Sequence, residues 1–131
     1  ITQNGITTLV APQGVEGKSY LWPQVSPDGK KILYFVVGEG CFVCNIDGSN
    51  PVAQGVLRAS VWYDNNTIVG MDHKDDGVKT TSSKLIAKRI NSSTTQVLTT
   101  SSVKAMYPSV GANNISFVTP QGEFFVLNIS K

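Results

Sequence analysis

Apolar residues fall into short runs separated by turn-forming clusters, and no run has the length or period of a helix. The clearest stretch opens with Trp22-Pro23-Gln24-Val25 and breaks at Ser26-Pro27-Asp28-Gly29. It resumes as Lys31-Ile32-Leu33-Tyr34-Phe35-Val36-Val37. Pro presets φ and Gly supplies positive φ, so the break predicts a tight turn between two strands. Gly38-Glu39-Gly40 then turns the chain into a third strand at 41–46. Asp47-Gly48-Ser49-Asn50 turns it again into a fourth at 51–56. Four consecutive strands with no helix between them predict an antiparallel meander.

The same pattern returns twice. Ser60-Val61-Trp62-Tyr63-Asp64-Asn65-Asn66-Thr67-Ile68-Val69 places Asp-Asn-Asn where the first unit has Pro-Asp-Gly. It leads through Asp75-Asp76-Gly77 to strands at 84–90 and 96–99. The segment 84–90 is the best helix candidate, but it is too short and lies among Thr and Ser. A third unit runs from Tyr107-Pro108-Ser109-Val110 through strands at 115–118 and 123–129. Asn45-Ile46, Arg89-Ile90 and Asn128-Ile129 occupy one place in the three units and recur after 44 and then 39 residues. That period suits a four-stranded propeller blade.

Composition agrees with strands. Among 131 residues are 16 Val, 9 Ile and 11 Thr, with 12 Gly and 6 Pro as punctuation. Such β-branched content favours a pleated, half-buried surface. A net charge of +2 with 15% charged residues leaves no basic stripe for nucleic acid. No apolar run reaches the ~18 residues of a membrane-spanning helix, so no membrane insertion is expected.

The run Trp22-Pro23-Gln24-Val25-Ser26-Pro27-Asp28-Gly29-Lys30-Lys31-Ile32-Leu33-Tyr34, followed by Asn45-Ile46-Asp47-Gly48, resembles the WD40-like (PD40) repeat of TolB-type β-propellers. Residues 70–77 and 96–99 also look like parts of such a blade, although the second and third units lack the Ser-Pro-Asp-Gly signature. The fold expected is all-β, with three antiparallel β-propeller blades at 20–56, 57–100 and 104–131, the last without its outer strand. The resemblance implies rings of six blades, so three would be half a ring. Residues 1–10 read as an Asn-Gly turn leading into a surplus outer strand. Propellers close by completing one blade from both termini, which protects sheet edges. The expectation is a homodimer in which each N-terminal strand completes the third blade of the other copy. The rival is a segment of a longer propeller chain. The resemblance also implies the bacterial periplasm or cell envelope.

Catalytic chemistry is hard to find in this sequence. Nucleophilic catalysis needs a base beside the nucleophile, and His73 is the only histidine. Cys41 and Cys44 form a lone C-x-x-C without enough partners for zinc, and positions three apart on a strand face opposite ways. They read as two buried thiols. The acidic turn at 72–76 fails the spacing of a calcium loop, because Lys74 stands at a ligand position. Asp28, Asp47 and Asp76 each precede Gly and read as turn formers. No metal, no cofactor and no enzymatic activity are expected.

Aromatic residues supply the binding candidates. Trp22 and Tyr107 align with each other just before Pro, and Arg58 lies one position earlier in its own unit's register. Tyr20, Trp22, Arg58, Lys104 and Tyr107 are therefore the candidate ligand-binding residues, at the rim of a channel lined by the first strand of each unit. Large amphipathic side chains give contact area at low entropic cost. Trp62 aligns with Val25 and Val110 and reads as packing between units. The expected function is a non-catalytic module that presents a rigid face to a protein or peptide. Alternatives are a carbohydrate-binding propeller and the propeller part of a larger peptidase-like protein.

Overall fold

The structure, a computed structural model, describes residues 2–3, 6–7, 10–14, 16–100, 102–112 and 114–128. Among these the chain is all-β, without a helix. A first antiparallel sheet contains β3 (Tyr20–Val25), β4 (Lys31–Val36), β5 (Gly40–Asn45) and β6 (Val52–Gly55) in sequence order. It is preceded by β1 (Thr2–Gln3) and β2 (Ile6–Thr7). A second sheet orders β7 (Arg58–Trp62), β8 (Thr67–Asp75), β9 (Thr80–Arg89) and β10 (Thr95–Val97) in the same way. The third has three strands, β11 (Met106–Val110), β12 (Asn114–Val118) and β13 (Phe124–Asn128). None of the sheets closes on itself.

The three units share their register. Lys31 pairs with Asn45, Thr67 with Arg89 and Asn114 with Asn128, so the three recurring dipeptides begin on the last residue of each third strand. The segment weighed as a helix lies largely within β9, where Leu85 and Ile86 are buried on opposite faces. Its turns are built as their chemistry predicts. The Ser26 hydroxyl donates to Asp28 Oδ1 at 2.6 Å and accepts from the Lys31 amide at 3.1 Å. Asp47 accepts from the Ser49 amide and hydroxyl, and Asp76 from the amides of Val78 and Lys79. These carboxylates therefore serve as local turn acceptors.

Each pair of adjacent sheets buries one apolar cluster. Leu33, Cys41 and Val43 of the first sheet meet Trp62, Ile68 and Ile86 of the second. On the far face of the second sheet, Val69, Met71 and Leu85 meet Ile115 and Phe117 of the third. The middle sheet is thus covered on both sides, which is why Ile68-Val69-Gly70-Met71 reads as an unbroken apolar run rather than an alternating one. Full burial of side chains such as Leu33, Ile68, Leu85 and Ile115 contributes about 1.5–3 kcal/mol each. Trp62 locks the first pair of sheets. Its amide donates to Gln24 Oε1 at 2.7 Å and its indole Nε1 to the Gln24 carbonyl at 2.8 Å.

The remaining face of the first sheet carries a third cluster, Ile32, Tyr34, Val36 and Cys44. Cys41 and Cys44 are free, and they lie in clusters on opposite faces of β5. At the N-terminus β1 and β2 form a short antiparallel pair. Thr2 pairs with Thr7 and Gln3 with Ile6, and Val10 packs against this third cluster. Residues 1, 4, 5, 8 and 9 of the outer strand expected at 1–10 lie outside the described residues. Pairing of β1 with its immediate neighbour β2 costs little loop-closure entropy.

Candidate functional site

The first strand of each of the three larger sheets carries the same irregularity. Between Leu21 and Gln24, between Arg58 and Val61, and between Met106 and Ser109, two residues oppose one on the neighbouring strand. In each bulge the first extra residue has a left-handed backbone: Trp22 at φ 51°, Ala59 at 49° and Tyr107 at 52°. Such φ values are uncommon for residues with a Cβ, and costly for bulky ones. A bulge bends its strand and re-aims the side chain it carries. Opposite the three bulges stand Tyr34, Gly70 and Phe117. A Cβ on Gly70 would fall 2.3 Å from Ser60 Oγ and 2.8 Å from Leu57 Cβ, so the middle bulge presses directly on that glycine.

The five candidate residues separate in space. Trp22 and Arg58 come together, with the guanidinium carbon 5.9 Å from the indole centroid, within cation–π range. Phe35 stands edge-on to the same indole at 5.3 Å. Tyr107 is 55% exposed, and its backbone amide points to Met71 Sδ at 3.4 Å. It is the most accessible aromatic among the candidates. Tyr20 sits apart from this pair and is committed to packing. Its ring meets Tyr34 edge-on at 5.7 Å, and its hydroxyl donates to the Gly14 carbonyl while accepting from the Gln13 amide. Lys104 lies in the segment before β11, in a shallow hollow of about 390 Å³ that it shares with Thr119, Glu123 and Phe125.

Sequence reasoning missed two residues. Phe35 completes the aromatic contact with Trp22, and its signal was the unbroken apolar run of β4. Ala59 is the third bulge residue, hidden because Ser60 follows it where the other two units have Pro. Neither cysteine is poised as a nucleophile, since burial pushes the Cys41 thiol up to about 11 and raises that of Cys44. His73 shares a hydrogen bond with Thr80 Oγ1 at 3.0 Å across the β8–β9 pair. Among the described residues no three of His, Cys, Asp and Glu converge as metal ligands. A cleft of about 740 Å³ lies elsewhere, between β6 and the end of β9, and none of the five candidates lines it.

The geometry thus brings Trp22, Arg58 and Phe35 together and leaves Tyr107 exposed. Compared with protein-family models and with curated proteins, the chain matches none.

Proposed function

We propose that this chain is a non-catalytic binding module, an arc of three β-propeller blades of the TolB-like kind. It presents the bulged first strands to a protein or peptide partner in the bacterial cell envelope. The observation that carries the reading is the left-handed bulge repeated at Trp22, Ala59 and Tyr107. A strained conformation kept at three equivalent positions implies a use for where it aims the side chains. Two of the three positions bear large aromatics, and Arg58 stacks on one of them. Aromatic and Arg anchors of this kind dominate peptide-binding surfaces.

A second copy would close the arc. Supporting this, β13 has a neighbouring strand on one side only among the described residues. Phe124, Phe125 and Val126 on that strand are all exposed. An apolar edge strand with free backbone groups is a template for pairing. Light scattering at micromolar concentration should give twice the 14.1 kDa chain mass, and a strictly monomeric chain would overturn the closure. On a random-sequence peptide array, Trp22→Ala and Tyr107→Ala should each weaken binding without changing the mass. Binding confined to a glycan array would replace the peptide reading with the carbohydrate one.

A further inference from the structure

The 740 Å³ cleft lies away from the bulged strands, so what it binds is independent of the function proposed above. It opens between β6 and the end of β9, and its walls are the side chains of Val52, Leu57, Ile86 and Ile90. Its size is in the range of small-molecule sites, which are concave, mostly apolar and marked by a few placed polar groups. Here those groups are an amide and an ammonium.

Gln54 is 3% exposed, an unusual residue for the buried side of an outer strand. Its amide nitrogen donates to the Ile90 carbonyl at 3.2 Å, bridging the first sheet to the second. Its oxygen accepts from Lys88 Nζ at 2.5 Å. Lys88 also donates to the Arg89 carbonyl at 3.1 Å, which leaves one of its three N–H bonds uncommitted among the described residues. Among the described residues no carboxylate pairs with it, and the ion pair found there joins Lys18 and Glu39. The acidic residue on the cleft wall, Asp72, stands across from Lys84 on β9. That position is four residues from Lys88, about 13 Å along the strand.

Lys88 is half-buried, and burial lowers its pKa. The site is therefore charged, preorganised by a buried amide, and incomplete. Asn91 and Ser93 also line the cleft.

We propose that this cleft binds a small organic acid, its carboxylate on Lys88 Nζ and its apolar body against Leu57, Ile86 and Ile90. Two independent features carry the assignment: an unpaired cation held in place by Gln54, and an apolar wall of suitable volume next to it. A carboxylate completes the missing charge-assisted hydrogen bond, whereas a neutral alcohol of the same length would gain only the wall.

Octanoate and octanol are the probes, followed by amide chemical shifts of the intact chain. Octanoate should produce saturable shifts centred on Gln54, Leu57, Lys88 and Ile90, and octanol should bind roughly tenfold more weakly or worse. Lys88→Gln should remove the preference for the acid, and Lys88→Arg should retain most of it. Thermal melts of the unliganded variants establish that both remain folded. Equal binding of the two probes, no saturable shifts at these residues, or an unchanged preference in Lys88→Gln would each overturn the proposal.

Discussion

Tyr107 offers a test in which the usual order of two substitutions reverses. On an ordinary strand glycine is less stable than alanine by about 0.5–1 kcal/mol, because it loses more backbone freedom on folding. At φ 52° the balance changes. The left-handed backbone costs a residue with a Cβ about 1–2 kcal/mol, and glycine avoids that cost. The two effects oppose, and Tyr107→Gly should match or exceed Tyr107→Ala, by about 0–1.5 kcal/mol, the strain term of about 1–2 less the entropy term of about 0.5–1. Both variants lose the same ring, which is 55% exposed, and both keep the backbone amide bonded to Met71, so those terms cancel. Val97, exposed on β10 without a left-handed backbone, is the control. There Val97→Gly should fall below Val97→Ala by the ordinary amount. Urea unfolding reads the difference: with m about 1–3 kcal/mol/M, 1 kcal/mol moves the midpoint by about 0.3–1 M. If Tyr107→Gly proves less stable than Tyr107→Ala by 0.5 kcal/mol or more, the bulge is unstrained and the argument for its use collapses.

Further outcomes follow from the packing and the turns. Gly70→Ala should destabilise by about 1–3 kcal/mol, since the new methyl lands on Ser60 and Leu57 opposite the middle bulge. Adding Ser60→Gly should recover part of that loss in a double-mutant cycle, and zero coupling would contradict the contact. Trp62→Ala should cost about 3–5 kcal/mol in denaturant unfolding, and Trp62→Phe less, because the ring stays while the bond to the Gln24 carbonyl goes. Asp28 and Asp47 are held below the usual carboxylate range by the hydroxyls of Ser26 and Ser49, and Asp76 by the backbone amides of Lys79 and Val78. A carboxyl whose pKa falls on folding stabilises above its unfolded value, near 3.8, and that contribution is lost as pH drops through the folded one. Stability should therefore decline below about pH 4. Replacing all three with Asn should flatten that decline, and an unchanged acid slope would rule the turns out as its source.

Sequence alone determined the local rules. Ser26-Pro27-Asp28-Gly29 made its turn because each residue carries the φ preference or acceptor that the turn requires. The recurring Asn-Ile and Arg-Ile pairs marked strand ends because identical meanders place identical residues at the same register. The apolar runs of β4 and β8 announced burial on both faces, since only a strand covered on two sides can dispense with alternation. Cys41 and Cys44 fell on opposite faces by the period of two.

Tertiary structure decided the rest, because it depends on what meets across sheets. Ala59 shares a left-handed bulge with Trp22 and Tyr107, a fact about pairing that no propensity encodes. Tyr20 turned inward to Tyr34 while Tyr107 remained exposed, although both began as equivalent rim candidates. Val10 came to rest on the first sheet because an uncovered apolar face lay within its reach. Gln54 and Lys88, separated by 34 positions, met in one cleft because the first and second sheets pack side by side.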